Sequence, residues 1–276
     1  MISEREKTKR KVIVFAVLAA ILIVISLIAP LIIPNDPFET NAALMNKGPS
    51  EQFPLGTDRY GRCILSRVLM GAKTSIFSSF TVVAVTFVIG LILGLLCGYY
   101  GGVLDGILMR FADLMLSFPQ MVIAIAVAGI MGGNLVNAMI AMGITAWPAH
   151  ARLARSTVMK VKEEPYIAAA KLAGCTDFCI MYKYILPNVF GPLLINATTQ
   201  IGTMMIGIAG LSFLGIGVIP PTPEWGSMIN EARAYLSLSP WAVFVPGAAI
   251  VITVMVFNYF GDSLRDYIDV NGDSNG

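Results

Sequence analysis

The stretch Val161-Lys-Glu-Glu-Pro-Tyr-Ile-Ala-Ala-Ala-Lys-Leu-Ala-Gly174, continuing through Cys175 to Leu186-Pro187-Asn188, is a long polar segment set between two blocks of hydrocarbon-like sequence. Its local signals spell a compact helix of about two turns. Pro165 suits a first helical turn, where its missing N–H costs nothing, and Glu163 and Glu164 favour the positive end of the helix. Ala168, Ala169 and Ala170 propagate the helix well, and Gly174 can take the left-handed stop. Thr176-Asp177 reads as the cap of a second short helix, which Pro187 ends. By these signals alone the segment is either a loop helix covering a membrane bundle or a helix that docks on a partner.

Composition decides the class. The chain has 276 residues, 56% of them hydrophobic and 13% charged, against roughly 25% charged in soluble domains. Its mean hydropathy is +0.75. An integral membrane protein is expected, all-α and embedded in the lipid bilayer. The formal charge of +2 comes from 19 basic and 17 acidic residues and gives no global field for nucleic acid. Cys63, Cys97, Cys175 and Cys179 form neither a disulfide framework nor a paired CxxC zinc site, and Cys175 and Cys179 are expected to share one helix face as small filler residues.

Upstream, Val12 to Ile33 run 22 residues without a charge, enough to cross about 30 Å of hydrocarbon at about 1.5 Å per residue. A cleavable signal peptide would have a shorter apolar region and a small-residue cleavage site, so a retained first helix is expected over 12–33. Residues 34–73 read as a polar external loop holding Phe53-Pro-Leu-Gly-Thr-Asp-Arg-Tyr-Gly-Arg62 and Leu65-Ser-Arg-Val-Leu-Met-Gly71-Ala-Lys-Thr-Ser75. Gly56 and Gly61 permit tight turns there, and Asp58 can pair with Arg59 or Arg62. Gly71-Ala-Lys73-Thr74 lacks the spacing of a phosphate loop, which excludes ATP binding by this chain.

Thr74 to Leu104 carry no charge and predict a second crossing ending at Gly98-Tyr-Tyr-Gly-Gly102. Asp105 to Ser117 form an amphipathic piece with Arg110 and Asp113 on one face. From Leu114 to Ala151 there are 38 uncharged residues, about 57 Å as one helix and twice what a bilayer needs. Gly132-Gly133-Asn134 breaks them into two crossings, and His150 is expected at the interface where the second emerges. Two further crossings are expected at about 188–211 and 235–261. Between them Leu211-Ser-Phe-Leu-Gly-Ile-Gly217, Pro220-Pro-Thr-Pro-Glu-Trp-Gly226 and Asn230-Glu-Ala-Arg233 form an outer segment expected to be irregular. Gly261-Asp-Ser-Leu-Arg-Asp-Tyr-Ile-Asp269 begins a polar tail. The expected organisation is a 1–73 N-terminal segment, a 74–269 core with a 150–187 loop, and a 270–276 tail.

Six crossings with both termini in the cytoplasm leave 13 basic residues inside, 5 in the 34–73 loop and 1 in the 212–233 segment, as the positive-inside rule requires. The crossings are nearly free of ionisable groups. Ion-coupled transporters keep such groups at membrane depth at a cost of about 2.5–3.5 kcal/mol each. A pump built on this chain must therefore receive its energy from outside the bilayer, and the 150–187 loop is the place to receive it. Gly90, Gly94 and Gly98 on one face, and Gly202, Gly207 and Gly210, offer close helix approach.

Several stretches carry a resemblance. Ala169, Ala170, Gly174, Leu186 and Pro187 resemble the coupling loop of ABC importer permeases, a family that often has Glu where this chain has Ala168. Pro-Leu-Gly-Thr-Asp-x-x-Gly-Arg, Leu-Ser-Arg, Ser-Phe-Leu-Gly-x-Gly, Glu-Trp-Gly and Gly-Asp-x-Leu-Arg-Asp resemble the peptide/nickel branch, with Cys63 where that branch usually has Asp. Together they cover roughly residues 53–269. The resemblance implies a type I, MetI-like permease fold, the C-type member of a pair, in a bacterial inner membrane. It implies a homologous second permease, two cytoplasmic ATPase subunits that hold ATP and Mg, and an extracytoplasmic solute-binding protein. No cofactor, metal site or catalytic residue is expected in this chain.

By the same resemblance Glu164, Ala168, Ala169, Ala170, Gly174, Asp177, Leu186 and Pro187 would serve ATPase coupling. Gly56, Thr57, Asp58, Gly61, Arg62, Glu224 and Trp225 would serve external docking or gating. Asn196, Thr199, Gln200, Met204 and Met205 would line the solute path. Met204-Met205 and the Glu-Trp-Gly-Ser-Met-Ile-Asn-Glu-Ala-Arg run lean the substrate toward nickel or a nickel chelate, with dipeptides or oligopeptides as the alternative. An ion-driven secondary transporter and a non-transporting scaffold are the competing classes.

Overall fold

The computed structural model describes residues 2–272, with side chains for 6–268. The helices are α1 (Ile2–Ile32), α2 (Ile64–Tyr100), α3 (Gly102–Ser117), α4 (Gln120–Met131), α5 (Leu135–Lys162), α6 (Pro165–Leu172), α7 (Asp177–Ile180), α8 (Leu186–Phe213), α9 (Trp225–Ala232) and α10 (Trp241–Gly272). Four runs are long and apolar enough to cross a membrane: Glu6–Ile32, α2, Asp177–Phe213 and Trp241–Ile268. α3 and α4, bent by 93° at their junction, qualify together as a broken span. Composition thus supports four or five crossings. The expected six is reached only by counting α5, whose 28 residues have the length but whose final turns carry Arg152, Arg155, Lys160 and Lys162.

α2 and α5 form the most extensive helix pair, and the reason is the glycine face of α2. A Cβ at Gly94 would stand 2.6 Å from the Ala151 carbonyl oxygen, and one at Gly98 would stand 2.7 Å from Val158 Cβ. Small residues let backbones approach this closely where water offers no hydrophobic drive between helices. His150 is buried in this seam, its ring edge-on to Phe87 at 6.4 Å between centroids, and does not occupy the interface expected for it. Gly202 lies against Asn258 and Val254 of α10, while Gly207 and Gly210 meet the flexible ends of Met142 and Met121.

Several boundaries move. α2 begins at Ile64 and runs unbroken through position 74, so 64–73 belong to the helix rather than to the loop. Arg67 permits this because distant partners neutralise it inside the protein. α9 is a regular two-turn helix inside the segment expected to be irregular. Its cap is Glu224, which accepts hydrogen bonds from the amides of Gly226 (2.9 Å) and Ser227 (2.8 Å), a role usually filled by shorter side chains. Pro187 ends nothing: α7 passes through a π-turn over Met181–Ile185 into α8, where Pro187 sits in the first turn. α10 continues to Gly272, so 261–272 is helix and not tail; of the expected tail, 273–276 lie outside the described residues.

Candidate functional site: a projecting loop and an external platform

At one end of the bundle the loop after α5 folds as its local chemistry dictates. α6 has Pro165 in its first turn and stops at Gly174, whose φ is +82°. Thr176 caps α7 by accepting from the Cys179 amide at 3.3 Å. Ile167 and Ala170 are buried against Val158, Ile180, Ile185 and Val189. Glu164, Ala168 and Ala169 stay exposed, and Leu172 is 91% exposed. Nothing lies within 4 Å of a Cβ placed on Gly174. Phe178 and Tyr182, 73% and 67% exposed, stack with centroids 6.2 Å apart, and Tyr182, Lys183, Leu186, Pro187 and Phe190 border an open groove beside them. The result is a two-turn handle with one face seated in the bundle and one apolar face free. Of the eight expected coupling residues, Ala170 faces inward, Leu186 is half-buried, and the other six are exposed.

Cys175 lies outside α7 and packs on the same cluster, so it does not share a helix face with Cys179. On α3, Asp113 pairs with Arg152, and Asp105 accepts two hydrogen bonds from Arg155 at 2.5 and 2.6 Å. These ion pairs clamp α3 to α5.

At the opposite end, residues 34–63 fold onto α9. The Arg62 Nε donates to Asp58 at 2.6 Å, and the same guanidinium reaches Glu231 at 2.8 Å. Arg67 donates to Glu231 (3.2 Å) and to the carbonyls of Pro37 (3.1 Å) and Pro221 (3.2 Å). Asp58 therefore pairs with Arg62, while Arg59 stacks on Tyr60. Gly61, at φ +77°, closes a turn in which a Cβ would stand 2.9 Å from the Asn41 carbonyl carbon. Thr57 accepts from the Lys47 amide and donates to the Leu44 carbonyl. Glu224 is fully buried and accepts from Ser75 at 3.2 Å; Trp225 donates to the Val68 carbonyl at 2.9 Å. Burial pushes the Glu224 carboxyl above the ordinary carboxylate range, and its amide donors pull it back. The seven residues expected to dock a partner or gate the outer mouth are all buried. They build the interior of the platform.

The five residues expected to line the solute path all lie on α8. Met204 packs in one core cluster with Val82 and Ala141, and Met205 in another with Ile76 and Trp225. Thr199 faces Gly261 of α10. Asn196, Thr199 and Gln200 are half-buried. Large apolar side chains left exposed on α8 include Phe190, Leu194 and Ile206.

The family described as binding-protein-dependent transport system inner membrane component matches residues 90–270. The chain belongs to this family of ABC importer permeases. The dipeptide transport system permease DppC of Haemophilus influenzae is 39% identical over 95% of the permease and 91% of that protein. The glutathione transport system permease GsiD of Pectobacterium atrosepticum is 43% identical over 82% of the permease and 75% of that protein. Among solved structures, a chain from inward-facing conformations of the methionine ABC transporter MetNI aligns with a TM-score of 0.60 at 20% identity. It covers 74% of the permease and 97% of that chain. The type I, MetI-like fold is thereby shown. The relatives named here are transport permeases for dipeptides and for glutathione.

One buried residue at the handle end of the bundle was not singled out by the motifs. Tyr99, in the Gly98-Tyr-Tyr-Gly-Gly102 run read only as a helix end, is buried at the foot of the α6–α7 handle. Its partners lie 63 and 78 residues away, so local sequence held no signal for it.

Proposed function

We propose that the chain is one of two homologous permease subunits of an ATP-driven peptide importer, carrying di- or short peptides through a bacterial inner membrane. In this reading two cytoplasmic ATPases hold ATP and Mg, an extracytoplasmic binding protein delivers solute over the 34–63 and α9 platform, and both termini are cytoplasmic. The permease is not itself an enzyme. The relatives' names favour peptides over the nickel reading, and Met204 and Met205, part of the basis for that lean, are buried in the core. One observation carries the energy coupling: a capped handle with a free apolar face projects from a bundle whose crossings hold few ionisable groups. ATPase closure would move that handle and with it the bundle between inward- and outward-facing states.

Gly174→Asp tests the coupling. The left-handed region tolerates Asp better than most residues, and the surrounding space is open within this chain. The variant is expected to insert normally yet lose ATPase binding, with uptake of radiolabelled dialanine reduced at least about tenfold, the effect of 1.4 kcal/mol. Unchanged uptake would contradict the coupling role. Nickel uptake in place of dialanine would contradict the peptide assignment.

A further inference from the structure

We propose that Tyr99 is the rigid joint through which displacement of α6 and α7 reaches α2 and α5, an inference that rests on the ATP-driven reading above. The phenol donates to Asp177 Oδ1 at 2.5 Å, reaching the first residue of α7. The Tyr99 carbonyl oxygen accepts from Lys162 Nζ at 2.5 Å, fixing the last residue of α5. The ammonium groups of Lys162 and Lys171 each lie 5.5 Å from the ring centroid, so the ring is held between the end of α5 and the last turn of α6. Tyr100 packs edge-on at 5.1 Å.

One side chain at the end of α2 thus touches the start, the middle and the end of the loop path. Among the described residues, every hydrogen bond or ring contact from α6 or α7 to α2 ends on Tyr99. The other seat of the handle is apolar, through Ile167, Ala170 and Ile180. Such contacts resist separation but are non-directional and leave the handle free to slide. The hydrogen bond and the two cationic contacts fix direction, which a lever needs. The Asp105–Arg155 and Asp113–Arg152 pairs tie α3 to α5 and leave the handle untouched.

Tyr99→Phe keeps the ring and its cationic contacts and deletes the bond to Asp177. The test uses the complete complex of both permeases and both ATPases in proteoliposomes, with binding protein present. Genetically encoded spin labels replace the exposed Ala173 at the end of α6 and the exposed Val88 on α2, and the distance between them is measured without nucleotide and with ATP and vanadate. With Tyr99 present the distance is expected to stay fixed as the ATPases close. With Tyr99→Phe it is expected to shift and broaden on closure, and the ATP consumed per dialanine imported is expected to rise at least about fivefold. Asp177→Asn, which retains an acceptor oxygen, is expected to behave like the parent, and Asp177→Ala like Tyr99→Phe. A Tyr99→Phe complex with parental distances and stoichiometry overturns the proposal. So does one that fails to assemble with the ATPases, because the residue would then maintain the fold of the loop. A parent complex that imports dialanine equally well with and without ATP overturns the ATP-driven reading together with the joint.

Discussion

Gly94→Val is expected to leave little folded protein in the membrane. A side chain at this position would meet the Ala151 carbonyl oxygen at 2.6 Å and the Arg155 amide nitrogen at 2.9 Å, both backbone atoms of α5 that cannot rotate away. The helices must part, and the contacts at Gly90 and Gly98 on the same face part with them. Overpacking a well-filled core commonly costs about 1–3 kcal/mol, and here the most extensive helix pair of the fold is opened along its length. Thermal unfolding in detergent should show a large fall in Tm, or accumulation should fail. Gly143→Ala, whose nearest neighbour would be Thr86 Cγ2 at 3.9 Å, is the matched control and should be neutral. A stable Gly94→Val protein would mean that α2 and α5 pack differently.

Arg67→Met should be nearly as damaging at the opposite end. The guanidinium is 1% exposed and spans Glu231 and the carbonyls of Pro37 and Pro221, three acceptors on separate segments. Removing one partner of a buried ion pair costs about 3–5 kcal/mol because the other charge is stranded. Arg62 would remain to compensate part of Glu231, but the two proline carbonyls would have no donor. Limited proteolysis from the external side should cut 34–63 in the variant and spare the parent. Arg67→Lys should rescue only in part, since an ammonium lacks the planar fork that reaches several acceptors at once. Equal protease resistance in all three proteins would show that the cluster does not hold the platform.

The parts legible in the sequence were those set by near neighbours. Pro165, the alanine run and Gly174 specify α6 within one short stretch, and the structure places its first and last turns as those residues dictate. The four-residue spacing of Gly90, Gly94 and Gly98 marks one helix face regardless of what packs there. Illegible parts depended on distance. The helical start at Ile64 was hidden because Arg67 looked like a loop charge, and its neutralising Glu231 lies 164 residues away. Glu224 is an unusual cap that also accepts from the Ser75 hydroxyl on α2. The apolar stretches of α8 do not announce which face turns inward, and Met204 and Met205, expected along the path, are buried in the core.

The central claim is that this chain has no power source of its own and is driven through α6. Its most direct test is dialanine uptake into proteoliposomes holding this chain and its homologous permease, with binding protein outside, measured with and without ATP-loaded ATPases and under imposed proton or sodium gradients. Uptake that requires ATP and the ATPases, is indifferent to the gradients, and vanishes with Gly174→Asp is the predicted result. Gradient-driven uptake by the permeases alone would contradict it.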